Sequence, residues 1–219
     1  ELESNPSAFP PDAIVEGINP HDHTVAASFS SSLPILVIEY SDGVTLDTDV
    51  SAFLTVYANP SGVNSLLQAP TTSISVLIQE NITDSLAKGK LSCILTLTPP
   101  SAPDTPDEPI SIAGLPADSQ WQLHGSVRDK GMLRNGVAYA LGKILMPDAT
   151  PGTRYCEVLT LLNGVYQYEG LHILAESPLR FFQKLSEKGK ETVFLRQLMG
   201  RERRGQYVVR GGNNVFSVV

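Results

Sequence analysis

The chain has 219 residues, 42% hydrophobic and 18% charged, with a formal net charge of −7. This is globular composition: no apolar run approaches the ~20 residues of a membrane-spanning helix, and so acidic a body is a poor partner for nucleic acid. The charge is uneven, with 7 Lys/Arg against 20 Asp/Glu in residues 1–179 and 9 against 3 in 180–219, so a body of −13 precedes a tail of +6.

Residues 1–30, rich in Pro, Ser, Ala and Asn without a helical period, read as an extended N-terminal arm. Leu33–Tyr40 then reads as a buried strand ended by the turn signal Ser41-Asp42-Gly43. Ala52–Tyr57 is a second strand, Ser73–Ile78 a third with period-2 alternation, and Lys90–Thr98 a fourth with Leu91, Cys93, Leu95 and Leu97 on one face. Links this short favour an antiparallel meander. Thr98–Pro109 holds five prolines and three acids, so it reads as a surface loop.

After Trp121-Gln122-Leu123-His124, the stretch Arg128–Ile144 has Met132, Leu133, Val137, Ala140, Leu141 and Ile144 at helical spacing. Asp129 near its start suits the helix dipole. Tyr155–Leu162 and Val165–Ala175 read as partner strands about an Asn163-Gly164 hairpin turn. Leu179–Lys188 and Glu191–Arg203 read as helices split by Gly189, and Tyr207–Val219 as a terminal hairpin. The expected organisation is an arm over 1–30, one domain over 31–179, and a basic helical segment with a C-terminal hairpin over 180–219.

Cys93 and Cys156 leave two readings open. A disulfide closing so long a loop would contribute about 2–5 kcal/mol; the other reading is a pair of buried thiols. No CxxC pair marks a zinc site, and His21-x-His23 lacks a third and fourth ligand, so no metal is expected. Asn81-Ile82-Thr83 is a glycosylation sequon in a loop. The chain begins at Glu1 rather than Met, so a processed, trimmed or tagged chain is expected, with no signal peptide left to read.

One constellation carries more. Trp121-x-Leu123 is followed by Asp129-Lys130-x-x-x-Arg134-Asn135 at a helix start, Arg154-x-x-Glu157-Val158 on a strand, Asn163-Gly164-x-Tyr166 at a turn, and a Gly170-hydrophobic strand ending in Glu176. In order and spacing this resembles the CotH (spore-coat H, kinase-like) family. A weaker likeness covers Asn64–Pro70 and Gln79–Lys90, where the family's Arg-Gly turn is absent. The likeness spans roughly 33–176, with no clear counterpart for 180–219.

The resemblance implies an α+β chain: an antiparallel-sheet-rich, kinase-like N-lobe with a few helices, its helical lobe reduced or absent. It offers Lys88 or Lys90 as the phosphate-binding lysine and Glu176 as a carboxylate at the lobe junction, near adenine. Trp121, Asp129, Lys130, Arg134, Asn135, Asn163 and Gly164 would be structural. Ordinary roles stand beside these: surface lysines at 88 and 90, a salt bridge from Glu176 to Arg154 or Arg134, and a core Trp121 with its N–H bonded to backbone.

Phosphoryl transfer needs carboxylates on Mg²⁺, yet no Asp follows Asp148, and Glu80 replaces a glycine or basic residue in the phosphate turn. The expectation is a secreted or surface protein, catalytically degenerate, serving as a coat or filament subunit. It would associate with itself or another extracellular protein and need no cofactor. The alternatives are an active secreted kinase using ATP with Mg²⁺ or Mn²⁺, and a glycan- or ligand-binding module using Tyr166 and Tyr168.

Overall fold

The computed structural model describes residues 18–19, 22–40, 50–60, 62–80, 91–98, 108–125, 129, 131–177 and 180–181, and the backbone alone of 207–211 and 214–218. Its strands are β1 (Thr24–Val25), β2 (Ser30–Ser31), β3 (Ile35–Tyr40), β4 (Val50–Tyr57), β5 (Asn64–Ser65), β6 (Thr72–Glu80), β7 (Cys93–Leu97), β8 (Gln120–His124), β9 (Thr153–Leu162), β10 (Val165–Glu176), β11 (Tyr207–Gly211) and β12 (Asn214–Val218). One α-helix, α1 (Leu133–Leu145), and a 3₁₀ turn at Pro147–Ala149 lie between β8 and β9.

The meander expected from the short links is present: β3, β4, β6, β7 and β8 pair in succession, all antiparallel. β10 pairs with both β8 and β9, and β9 returns to pair with β3. These pairings close seven strands into a barrel. Closure rests on the one parallel ladder, Ile35↔Glu157 through Glu39↔Leu161. A parallel contact between strands so distant in sequence leaves no local signal, which is why an open antiparallel lobe was expected. Among the described residues the fold is mostly β, α+β only in the sense that the helix α1 lies on a mixed barrel.

The alternation in β4, β7 and β8 directs Leu54, Val56, Cys93, Leu95, Trp121 and Leu123 into a filled interior with Leu36, Ile38, Val76, Ile78, Cys156, Val158 and Leu174. The segment before β8 contributes Ile112, Ala113 and Leu115 to the same core. Its turn is held by Leu115 N–H donating to Ile112 O at 2.9 Å. Ala113 and Gly114 both have positive φ, 49° and 75°, as a type I′ turn requires.

β3 is buried on both faces because a second cluster lies outside the barrel, where Val25 and Phe29 cover Ile35, Val37, Tyr57 and Leu159. Phe29 is 1% exposed, and β1 pairs with β10 through Thr24↔Gln167 and Val25↔Tyr166. The described end of the expected arm is therefore packed onto the body; residues 1–17 lie outside the described residues. So do most of Thr98–Pro109 and of the two expected C-terminal helices, of which Arg180 and Phe181 are helical.

β11 and β12 form a two-stranded sheet of their own, in register from Tyr207↔Val218 to Gly211↔Asn214.

The helix differs from expectation in two respects. It starts at Leu133, not Arg128, because Met132 takes a left-handed conformation (φ 53°). Its N–H donates to Asp129 O at 2.9 Å, while Asp129 Oδ2 accepts the Arg134 N–H at 2.7 Å. And its large apolar side chains do not face the barrel: Leu133, Val137, Leu141, Ile144 and Leu145 are 52–78% exposed. Asn135, Gly136, Tyr139 and Gly142 are the half-buried positions instead.

Candidate functional site: the cleft beneath the helix

α1 approaches the barrel through glycines. A Cβ on Gly136 would fall on Tyr155 Oη, and one on Gly142 would lie 2.8 Å from Thr150 Oγ1. Tyr155 Oη donates to Met132 O at 2.5 Å, tying the entry of the helix to β9. Thr150 Oγ1 donates to Met146 O at 2.9 Å, tying its exit.

Between helix and barrel this leaves a cleft of about 500 Å³, lined by Leu115, Pro116, Tyr139, Ala140, Lys143, Gly152, Arg154, Tyr155, Ile173 and Glu176 among others. Glu176 forms its inner wall at 4% exposure. Its Oε2 accepts the Gly152 N–H at 2.5 Å, and its own N–H donates to Gly152 O at 3.0 Å. Arg154 is exposed and reaches Gly114, where a Cβ would meet its guanidinium at 3.8 Å. Lys143 Nζ donates to Pro147 O at 3.2 Å and stands 6.0 Å above the Phe181 ring. Burial pushes the Tyr139 phenol above its ordinary pKa. The chain leaving β10 is fixed by Ser177 Oγ on Gln120 Oε1 at 2.7 Å and by Arg180 Nε 3.5 Å from the buried Asp118 carboxylate.

Of the residues singled out in the sequence, Glu176 and Arg154 meet at this cleft. They form no ion pair there, and Arg134 forms none with Glu176, so the carboxylate is backbone-bound among the described residues. Arg134 and Asn135 stand at the start of α1 with Asp129. Asn163 and Gly164, at φ 52° and 76°, make the turn at the opposite end of the β9–β10 hairpin. Lys88, Lys90, Lys130 and Asn81 lie outside the described residues.

Trp121 is fully buried, as expected of a core residue, but its Nε1 has no hydrogen-bond partner among the described residues, contrary to the expected backbone bond. Cys93 and Cys156 are buried thiols not joined in a disulfide, so the disulfide reading gives way to the thiol reading. Desolvation, then the neighbouring Glu157, push the Cys156 thiol well above its ordinary pKa. Tyr168 is not an open glycan platform: its hydroxyl donates to Glu157 Oε2 at 2.6 Å, and its ring lies 6.1 Å from that of Phe29.

Sequence reasoning did not single out Gly136, Tyr139, Lys143 or Tyr155. Gly136 and Gly142 inside a helical pattern were the available signal, since glycine costs about 1 kcal/mol there and asks for a packing reason.

A nucleotide's Mg²⁺ needs several hard oxygens in near-octahedral array. The described cleft residues offer one carboxylate, Glu176, buried and bonded to backbone, and they do not fit that ion. Among the described residues no group of three or more His, Cys, Asp or Glu could hold a metal, and no helix is long and apolar enough to cross a membrane.

No curated protein matches the chain. A family model described as CotH kinase protein matches residues 102–208. The match contains the whole constellation from Trp121 to Glu176, α1 and the cleft. It also moves the boundaries of the likeness: 33–101, with the weaker stretch at Asn64–Lys90, falls outside it, and 180–208 falls inside. What the comparison identifies is therefore a CotH kinase protein domain over residues 102–208, just under half of the chain.

Proposed function

We propose that this protein is a secreted or surface assembly subunit built on a CotH kinase-type scaffold, and that it does not transfer phosphate. The observation that carries this reading is the β11–β12 hairpin. It pairs with no other described strand, and a two-stranded hairpin alone is marginal in water. Among the described residues the outer edge of β11 has no partner strand, and we take it as the edge that offers its backbone groups to a strand of a neighbour. The poor fit of the cleft to Mg²⁺ supports the second half of the reading.

An active kinase is the second reading, favoured by two cations, Lys143 and Arg154, at the mouth of a cleft walled by Glu176. Thermal unfolding with ATP and Mg²⁺ or Mn²⁺ separates the two. A nucleotide at 100 times its dissociation constant adds about 2.7 kcal/mol. The assembly reading predicts no metal-dependent rise in Tm. A rise abolished by Lys88→Ala or Lys90→Ala would establish the kinase reading instead.

A further inference from the structure

Arg154 and Glu176 carry opposite charges on one face of the β9–β10 ladder. Arg154 stands opposite Leu174. Glu176 lies two positions further along β10, which makes the two diagonal neighbours, their Cβ atoms about 7–8 Å apart. Charges so placed ordinarily meet. These do not, because Glu176 Oε2 turns back to the Gly152 N–H and the Arg154 guanidinium lies by Gly114. Gly152, joined to Glu176 through the Glu176 N–H, has no side chain to fill the interval. A Cβ there would stand 3.0 Å from Glu176 Oε2.

Both residues line the cleft of about 500 Å³, a volume within the range of small-molecule sites. Glu176 is 4% exposed, and a carboxylate so withdrawn from water asks for more than one donor. Its Oε1 makes no hydrogen bond among the described residues. Arg154 is exposed, and its planar fork suits a carboxylate. Lys143 adds a second positive charge to the lining, while Leu115, Pro116, Tyr139 and Ile173 give it apolar surface.

A ligand that meets all these features has an ammonium, a carboxylate close to it, and an apolar side chain. We propose that the cleft is a site for a free apolar α-amino acid. Its ammonium donates to Glu176 Oε1, its carboxylate accepts from the Arg154 guanidinium, and its side chain lies on the apolar lining. A residue inside a peptide carries neither charge on its α-carbon and does not qualify. No residue of β11 or β12 takes part, so this site stands apart from the assembly reading.

The experiment is isothermal titration of the full chain with L-phenylalanine and with L-leucine. Hydrocinnamate, which lacks the ammonium, and phenethylamine, which lacks the carboxylate, serve as controls. Saturable binding of either amino acid is expected, with both controls about ten- to hundredfold weaker than L-phenylalanine, as the loss of a hydrogen bond to a charged group implies. Arg154→Met should weaken the amino acid by a similar factor and spare the residual binding of phenethylamine. Glu176→Gln, whose amide oxygen can still accept the Gly152 N–H, should weaken the amino acid and spare hydrocinnamate. Should Glu176→Gln lower Tm, Arg154→Met decides alone, since Arg154 is exposed. No binding of either amino acid, or equal binding in Arg154→Met, overturns the proposal. So does phenethylamine binding as tightly as L-phenylalanine, which would leave the cleft a site for amines alone.

Discussion

The hydroxyl of Tyr155 occupies the space that a side chain on Gly136 would need, with the ring Cζ 2.7 Å from where a Cβ would stand. That hydroxyl also holds Met132 O, so one glycine sets both the height of α1 above the barrel and the bond at its entry. Gly136→Ala poses a test of sign. Helix propensity alone would stabilise by about 1 kcal/mol, whereas overpacking costs typically about 1–3 kcal/mol and strains the Tyr155–Met132 bond. Tm is expected to fall, and Gly136→Ala with Tyr155→Leu to recover part of the loss. A rise in Tm for the single variant would mean that α1 is not seated on Tyr155.

The thiols of Cys93 and Cys156 are expected to be silent in the folded protein. Both are buried, and the raised pKa of Cys156 leaves it protonated at neutral pH. An aromatic disulfide reagent should titrate neither thiol in buffer and both in guanidinium, and reductant should leave Tm unchanged.

Tyr168 gives the barrel an alkaline limit. Desolvation, then its hydrogen bond to Glu157, raise its phenol well above the ordinary tyrosine pKa. A group whose folded pKa is raised contributes its stability fully below the unfolded value and loses it as pH climbs beyond. Stability should therefore decline above about pH 10, with Tyr57 and Tyr139, also raised, adding to the slope. Tyr168→Phe is expected to cost about 1–2 kcal/mol at neutral pH, from the lost bond to a carboxylate, and to flatten the alkaline decline. Tm measured from pH 7 to 11 checks both.

Gly164 sits at φ 76° with open space around it. Gly164→Ala meets no neighbour, so its cost is the left-handed backbone alone, about 1–2 kcal/mol. A chemical denaturation midpoint unchanged by this substitution would mean that the turn can adopt another form.

The strands were legible where one face alternates or where an apolar run is short and bounded, as in Leu33–Tyr40 and Ser73–Ile78. Closure was not, because the β3–β9 ladder joins residues more than a hundred positions apart, and either strand would look the same at an open edge. The helix was legible as a helix but not in its orientation. Periodicity reports that Leu133, Val137, Leu141 and Ile144 share a side, and the barrel turns out to be on the other one, since Gly136 and Gly142 alone allow the close approach. Glu176 and Arg154 were legible as motif residues. Their common cleft depends on how α1 lies over β9, which no spacing encodes.

The most direct test of the assembly reading is sedimentation velocity of the full chain over a wide concentration range, with Val208→Pro beside it. The loop of β11–β12 has two residues, so the flanking pair Gly211 and Asn214 is hydrogen-bonded and the Val208 N–H points to the outer edge. Proline at position 208 blocks that edge and leaves the ladder of the hairpin intact. The account predicts concentration-dependent association that Val208→Pro abolishes. A chain that stays monomeric throughout, or one that associates equally well with proline at 208, would contradict it.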